Sequence, residues 1–554
     1  MEKVKNMIKE ILQTIKDEII ENIKELGYYQ EDMEIVLEIP KDRSNGDYST
    51  NIAMRLARVA RKAPMVIANE IIQKFNKEKA HVSKVEAAGS GFINFTLDID
   101  NLLNVILLIN KEKSNYGNLN LGNHKKVMVE FVSANPTGYL HLGHGRGAAY
   151  GDSLANVMKK AGYDVTKEHY VNDAGNQITN MALSVYERYK ELYGLPIDMK
   201  EDYYYGKEII TIAEKIKDEF GDKFLNNFDL DFFKVYGTNV LLNNLKKDLE
   251  KFNVVFDNWF SEKSLYQANA VENTLKTLKD GDFTYEKEGA IWLKTSNYND
   301  EKDRVIVKSD GSYTYLLPDI AYHANKLQRG YEHLIDVLGA DHHGYIDRLK
   351  AAVSMVGGNS DLIDVEILQM VRVLENGEEI KMSKRSGKAI TLIDLIEEVG
   401  ADVLRYFYVS KALNTQMDLD LGLMKKKTNE NPVFYAQYAY ARIRSIFRTL
   451  ESKGYSFAEC SEFKNINKES AKNLCLTLLK YPMVIEEAAT KRLVHKVTHY
   501  IDELAYALHS YYNDEKVITD DKDATFEKAT ILQAVSIVLK DALELMGINA
   551  PEQM

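Results

Sequence analysis

Cysteine is almost absent from this 554-residue chain. Its two thiols, Cys460 and Cys475, stand in no CxxC or Cys/His spacing, which excludes a disulfide framework and a structural zinc site. Long apolar runs are missing too, and nothing approaches the roughly 18 consecutive apolar residues of a membrane span. The amino terminus, MEKVKNMIKEILQTIKDEIIENI, mixes acidic with basic residues around no uninterrupted apolar centre. It therefore reads neither as a secretory signal nor as an organelle transit peptide, and a reducing, cytoplasmic setting is expected. Positive charge is in deficit as well, with a formal net charge of −12 that offers no broad basic field to nucleic acid. The deficit lies upstream of Lys425, because basic and acidic residues balance from there to Met554. A nucleic-acid partner has to be argued from motifs. No internal repeat or low-complexity tract stands out, and the length predicts three or four domains.

What is present centres on residues 127–162, VMVEFVSANPTGYLHLGHGRGAAYGDSLANVMKKAG. A β-rich run from Val127 to Val132 leads through a loop with Asn135, Pro136 and Gly138 into a helix whose apolar positions, Leu154, Val157, Met158 and Ala161, recur at helical spacing. At the helix start stands His141-Leu142-Gly143-His144. A helix N-terminus exposes unpaired N–H groups and the positive end of the macrodipole, and glycine lets a phosphate come close. Two imidazoles there can donate to one phosphate chain, although for a lone HxGH ordinary turn-and-cap roles are by far the commoner explanation. Far downstream, Asn376-Gly377 predicts a two-residue hairpin that delivers Lys381-Met382-Ser383-Lys384-Arg385 into a Ser/Gly loop. Alone, such a basic loop reads as a solvated charge run.

Together, HLGH and KMSKR in this order resemble the paired HIGH and KMSKS signatures of class I aminoacyl-tRNA synthetases. The strings EFVSANPTG, YVNDAGNQ, YLLPDIAYH and GADHHGY are similar to those of arginyl-tRNA synthetases in particular. The resemblance implies a Rossmann-type α/β parallel-sheet catalytic domain, with an N-terminal α+β domain before it and a C-terminal all-α helical bundle after it. The expected bounds are 1–116, 117–390 and 391–554, with a helical insertion at about 178–285 in which no chemistry is legible.

Within the first domain the stripe Val4, Ile8, Ile11, Ile15 and Ile19 predicts a core helix. Strands are expected from Met33 to Ile39 and from Gly91 to Phe95, with a helix through Ala53, Leu56 and Val59. The segments GDYSTNIAM and AAGSGFINF resemble the additional domain that contacts the tRNA elbow in the family, which implies such a contact for Asn51. A βαβ unit closes with a strand from Tyr163 to Tyr170. The second half of the sheet is expected from about Ala290 to Val373, including Arg304 to Lys308 and His333 to Leu338, and everything after Thr391 is expected to be helical.

The resemblance implies activation of L-arginine by ATP, with Mg²⁺ accompanying the nucleotide, and then transfer to tRNA(Arg). His141, His144, Lys381 and Lys384 would be the catalytic donors. Gly143, Gly339, Asp341 and Val373 would join His141, His144 and Lys384 around ATP. For arginine, Glu130, Ser133, Asn135, Tyr315, Asp319 and His343 are implied. Asp319 is the first choice for the guanidinium, whose rigid fork suits a carboxylate, and Tyr315 would close over it. The residues themselves leave open which of Glu130, Asn135 and Asp319 holds the guanidinium, and Asp319 also reads as a helix N-cap. A metal on Asp341, His342 and His343 is rejected, because adjacent side chains diverge and no third ligand is evident. NPVFYAQYAYARI and GINAPEQM are similar to the family's anticodon-binding bundle, which implies Tyr435, Tyr440, Arg442 and Met554 as tRNA contacts, with Phe434 and Tyr438 as helix core. A monomer with no membrane partner is expected. A small HxGH nucleotidyltransferase would not explain KMSKR or the bundle. A catalytically silent RNA-binding paralogue should have lost His141, His144 or Lys384.

Overall fold

The computed structural model describes residues 2–380 and 390–554, with the side chains of all of these except 2–7, 43 and 341–343. The amino-terminal helix α1 (Glu2–Glu25) buries Ile8, Ile11, Ile15, Ile19 and Ile23 as its periodicity predicts. After it come β1 (Tyr48–Thr50), α2 (Ile52–Ala60), α3 (Pro64–Lys74), β2 (Val82–Ala88) and β3 (Phe92–Leu97), whose strands form an antiparallel sheet in the order β1-β3-β2. In α2, Ala53 and Leu56 are buried while Val59 faces outward. The expected strand from Met33 to Ile39 is not one. The chain there makes a single bridge, Glu38 to Ser49, on the outer edge of three-residue β1.

Helix α4 (Ile99–Glu112) leaves this unit and packs on the carboxy-terminal bundle. Asn110 Nδ2 donates to Thr530 O at 3.1 Å, and the Tyr116 hydroxyl to Leu478 O at 2.9 Å. Asp47 and Lys472, both nearly inaccessible, pair at 2.8 Å across the same seam. One buried apolar cluster therefore runs from Ile8 to Ile548 through all three regions.

The catalytic sheet is wholly parallel. Strand β4 (Lys126–Glu130) leads to α5 (Leu142–Lys160), β5 (Asp164–Val171) and a helical excursion, α6 (Asn176–Glu191), α7 (Lys207–Phe220) and α8 (Leu230–Lys251). That excursion has its own core around Met181, Tyr189, Ile212 and Phe233. The expected insertion bounds are too wide, because β6 (Asn258–Ser261) pairs in parallel with β5 and is the sheet's edge strand. Helices α9 (Glu262–Gln267) and α10 (Ala270–Asp280) follow. Strands β7 (Thr284–Lys287), β8 (Ala290–Leu293) and β9 (Arg304–Val307) form a separate antiparallel sheet, so Arg304 to Lys308 does not extend the main one. The reason is local: Glu288 and Gly289, both at positive φ, close a tight β7-β8 hairpin to which β9 adds.

Helix α11 (Leu316–Gln328), β10 (His333–Gly339), α12 (Ile346–Met355) and β11 (Ile363–Leu368) complete the order β11-β10-β4-β5-β6. A parallel sheet of this kind places its ligands beyond the carboxyl ends of its strands. Strands β12 (Val371–Glu375) and β13 (Glu378–Glu379) form the expected hairpin, with Asn376 at φ 52° and Gly377 at φ 84°.

Beyond the hairpin lie α13 (Leu392–Val399), α14 (Ala401–Val409), β14 (Met417–Asp420), α15 (Leu421–Met424), α16 (Pro432–Ser452), α17 (Glu469–Thr490), α18 (His495–Asp514) and α19 (Lys522–Leu545). This region is not helical throughout, since β14 pairs in parallel with β12 and its alternating Met417 and Leu419 fill the core. Arg405 joins the regions. Its inaccessible guanidinium donates to Met546 O at 2.8 Å, Phe252 O at 3.0 Å and Asp152 Oδ2 at 2.7 Å. Arg405→Met strands the carbonyls of Met546 and Phe252 and takes from buried Asp152 one of its two cations, the other being Lys167 at 2.9 Å, so a loss of about 3 kcal/mol is expected. An unchanged urea midpoint would refute this.

Candidate active site

Just past β4 the backbone turns sharply, with Val132 at φ 68° and Ser133 at φ 40°, a conformation that costs a β-branched residue dearly. The turn aims the Ser133 hydroxyl at Glu130 Oε1, 2.8 Å away, while its oxygen accepts Tyr170 N at 3.1 Å. Helix α5 then begins with His141 as its N-cap. His141 Nδ1 accepts from Gly143 N at 3.1 Å and from His144 N at 3.4 Å, and His144 Nδ1 accepts from His141 N at 3.3 Å. The rings stack with centroids 3.6 Å apart.

The capping role of HxGH is therefore realised through Nδ1, and it is compatible with donation through Nε2. Because each Nδ1 accepts a backbone proton, each ring carries its own proton on Nε2 and keeps that atom as a donor. Burial holds His141 below the ordinary imidazole value. Burial together with the neighbouring His141 takes His144 down to about 3, so both donors are neutral. Two turns on from His144, a Cβ at Gly151 would stand 2.3 Å from Phe131 Cγ, so glycine is what lets α5 lie this close to the end of β4.

His141, Gly143 and His144 line a cavity of about 560 Å³ whose far wall is Gly339, Ala340 and Gln369, at the carboxyl ends of β10 and β11. Asp341 lies in the short 3₁₀ turn Ala340–Tyr345 that follows. Val373 does not reach this cavity through its side chain, which is 1% exposed within β12 and packed in the core. Lys381 and Lys384 lie outside the described residues. The chain resumes beside the signature, with Thr391 bridged to His141 and Leu392 N donating to Leu140 O at 2.7 Å.

A second cavity, of about 340 Å³, adjoins the first across Leu338. Glu130, Asp319, Asp336 and Glu262 line it, with Tyr315 among its wall residues at 79% exposure. Asp319 is not the N-cap of α11, since Tyr315 holds that position. Its carboxylate accepts the Tyr345 hydroxyl at 2.6 Å and stands 3.2 Å from His323 Nδ1. Burial pushes Asp319 up, but His323, Tyr345 and Lys326 outweigh it and hold the carboxyl below its usual range. Glu130 is engaged by Lys326 at 2.6 Å, and burial still raises it. Asn135 bonds Gln177 at 2.6 Å and lines neither cavity. His343 lies in the same 3₁₀ turn as Asp341.

Sequence reasoning missed Tyr170, Glu262, His323 and Tyr345 in this wall. Glu262 falls in a segment read as inert, yet it directly follows β6. In the amide orientation that satisfies both ends, Asn172 donates to Glu262 Oε2 at 3.1 Å. A polar residue at the end of a short apolar run was the available signal.

In the bundle, α16 turns Ala436, Ala439, Tyr440 and Ile443 inward. Tyr440 is 4% exposed and its hydroxyl meets Glu552 at 3.4 Å, so it offers no face to a base. Tyr438, expected in the core, is instead 40% exposed and lies parallel to Phe434 at 6.3 Å. Helical phase is the reason, because positions 434, 435 and 438 lie opposite the buried stripe. Tyr435 is half-buried against His509, the Arg442 guanidinium lies 4.4 Å over the Tyr512 ring, and Tyr506 and Met554 are exposed. Asn51 sits at the N-cap of α2 with no side-chain capping bond.

Three family models match this chain. "Arginyl tRNA synthetase N terminal domain" covers residues 13–97, "tRNA synthetases class I (R), catalytic domain" residues 104–415, and "DALR anticodon binding domain" residues 436–554. The chain is 49% identical to Arginine--tRNA ligase of Bacillus subtilis over 99% of its length and all of that protein. It is 48% identical to Arginine--tRNA ligase 1 of Halalkalibacterium halodurans over the same shares. The Thermus thermophilus arginyl-tRNA synthetase structure shares the fold at TM-score 0.72 and 21% identity, covering 98% of this chain and all of that one. Two abutting cavities at the strand ends, an acidic one and one beneath neutral imidazole donors, thus stand in a chain that belongs to the arginyl-tRNA synthetase family.

Proposed function

We propose that this protein joins the carboxylate of L-arginine to the α-phosphate of ATP and then passes the arginyl group to the terminal adenosine of tRNA(Arg), releasing pyrophosphate and AMP. The observation that carries the reading is the junction of the two cavities. An arginine whose guanidinium reaches Asp319 directs its carboxylate past Leu338 toward the space under His141 and His144.

In that space an in-line displacement moves negative charge along the phosphates, so positioned donors serve it better than a covalent nucleophile. The Nε2 protons of His141 and His144 are such donors. Lys381 and Lys384 would add ammonium groups, and the tie between Thr391 and His141 supports their approach to the same cavity. Gly339 and Asp341 would hold the ribose end. No group of three or more His, Cys, Asp or Glu side chains suited to a metal occurs among the described residues. Mg²⁺ would enter on the triphosphate, whose oxygens are the hard ligands it prefers, and neutralise part of its charge.

Glu262 and Ser133 join Asp319 as candidates for the substrate's polar ends, and Tyr315 would close the mouth. Phe434, Tyr435, Tyr438 and Tyr506 supply stacking faces for unpaired anticodon bases, with Arg442 and Met554 nearby and Asn51 at the tRNA elbow. The enzyme works as a monomer in the cytoplasm; no described helix is long and apolar enough to cross a membrane.

Aminoacylation of bulk tRNA across the twenty amino acids tests the whole reading, with arginine alone expected to charge. Pyrophosphate exchange is expected to require tRNA even though Lys384 is retained. An equal exchange rate without tRNA would refute that second point.

A further inference from the structure

The arginine cavity is lined by more charge than one guanidinium needs. Glu130, Glu262, Asp319 and Asp336 all line it, and two cations are packed among Glu130, Asp319 and Asp336. Lys326, wholly inaccessible, bonds Glu130 Oε2 at 2.6 Å and Asp336 Oδ1 at 2.8 Å. His323, 3% exposed, bonds Asp336 Oδ2 through Nε2 at 2.8 Å, while its Nδ1 lies 2.8 Å from Asp319 O and 3.2 Å from Asp319 Oδ1. Both ring nitrogens thus face acceptors, which an imidazolium satisfies and a neutral imidazole does not. Lys326 and Ser133 each hold one oxygen of Glu130, contacts that favour its ionised form against the burial that raises it.

The hydrogen-bonded cluster of Glu130, Asp319, Asp336, Lys326 and His323 therefore holds three carboxylates against two cations, an excess of one negative charge, while Glu262 lines the same cavity outside this cluster with burial holding its carboxyl above the usual range. The excess is exposed at Asp319, whose side chain is 28% accessible, against 10% for Glu130 and 4% for Asp336.

We propose that Lys326 and His323 are positioning residues that set the pocket's charge. They cancel Glu130 and Asp336 and leave Asp319 to a single guanidinium, which completes the cluster as its third cation. The proposal rests on the reading of Asp319 as the guanidinium partner. Its consequence is selectivity: a neutral side chain of the same shape leaves the excess charge unanswered, and a buried, unanswered charge is costly.

The test is calorimetric titration of the full chain with L-arginine and with L-citrulline, whose ureido group copies the guanidinium's shape without its charge. Glu130→Gln and Asp336→Asn are isosteric and leave two carboxylates facing two cations. Each is expected to lower the arginine-to-citrulline affinity ratio by about tenfold or more with ATP affinity unchanged. The double variant Glu130→Gln/Lys326→Met restores the excess of one and is expected to recover the ratio, although it removes one more buried contact. A purely structural role predicts the opposite, a double variant worse than the single.

A folded single variant that keeps the wild-type ratio overturns the proposal, as does a folded double variant that has lost it. If one single variant fails to fold, the other decides. If both fail, the double variant decides against wild type. Asp319→Asn is measured alongside: an unchanged ratio there overturns the assignment of Asp319 itself, a failure distinct from that of the charge balance.

Discussion

Asp319→Asn is expected to lower kcat/KM for arginine about 10³-fold while leaving the KM for ATP near its wild-type value. The variant keeps the shape of the side chain and removes only its charge. In the folded protein that charge is well supported, with the Tyr345 hydroxyl donating at 2.6 Å and the His323 ring 3.2 Å away, so the carboxyl stays ionised across the neutral range. An asparagine there offers a guanidinium one neutral acceptor and directs an amide N–H₂ at a neighbour that is itself a donor. Losing one partner of a buried, charge-assisted pair costs about 3–5 kcal/mol, which corresponds to roughly 10² to 10³·⁵ in rate. A site built around polar partners amplifies the penalty, because its remaining groups are left unpaired. Steady-state aminoacylation with arginine varied at saturating ATP and tRNA is the measurement. A change of less than about tenfold would mean that the guanidinium is held elsewhere, with Glu262 the next carboxylate in the wall.

His144→Asn is expected to slow arginyl-adenylate formation by about 10²-fold or more with little loss of stability. His144 has two jobs on two different atoms: Nδ1 accepts His141 N and caps the helix, and Nε2 is left to donate into the cavity. Asparagine retains a capping oxygen and supplies no donor at the Nε2 position. Removing one positioned donor to developing charge costs about 10² to 10³ in rate, against about 1 kcal/mol for a helix cap. Single-turnover adenylation separates these effects from substrate binding, and His144→Ala should show the same rate loss plus the capping loss. The pH profile supplies a second check. Burial and His141 hold His144 down to about 3, so it is neutral throughout pH 5 to 8 and adds no limb to the profile there. Folding feels the same shift. The unfolded imidazole takes up a proton near pH 6.5 while the folded one does not, so His144 contributes stability above that pH that is lost as pH falls toward 3. A catalytic limb near pH 6.5 that disappears in His144→Asn would overturn the neutral-donor assignment.

Much of this was legible in the chain because it depends on local order. The stripe from Ile8 to Ile19 follows from 3.6-residue spacing, the hairpin at Asn376-Gly377 from two positive φ values, and the HLGH helix start from glycine and a capping side chain. Periodicity says which residues share a face and is silent about what that face meets. Tyr440 is buried and Tyr438 exposed, the reverse of the expected burial, for that reason, since α16 packs on α18 and α19. Likewise the run Arg304 to Val307 is a strand, as its residues indicate, but nothing in them says which sheet it joins.

By itself the sequence determined the position of the paired imidazoles at a helix start, the order of the three regions and the candidacy of Asp319, because each is written in contiguous residues. Only the tertiary structure decided that β6 belongs to the main sheet, that Glu262 reaches the cavity lined by Asp319 and that Glu130 is already taken by Lys326, 196 positions away. Those facts rest on contacts between segments distant in the chain. Such contacts are set by how the apolar faces of separate elements pack together, which no single segment records.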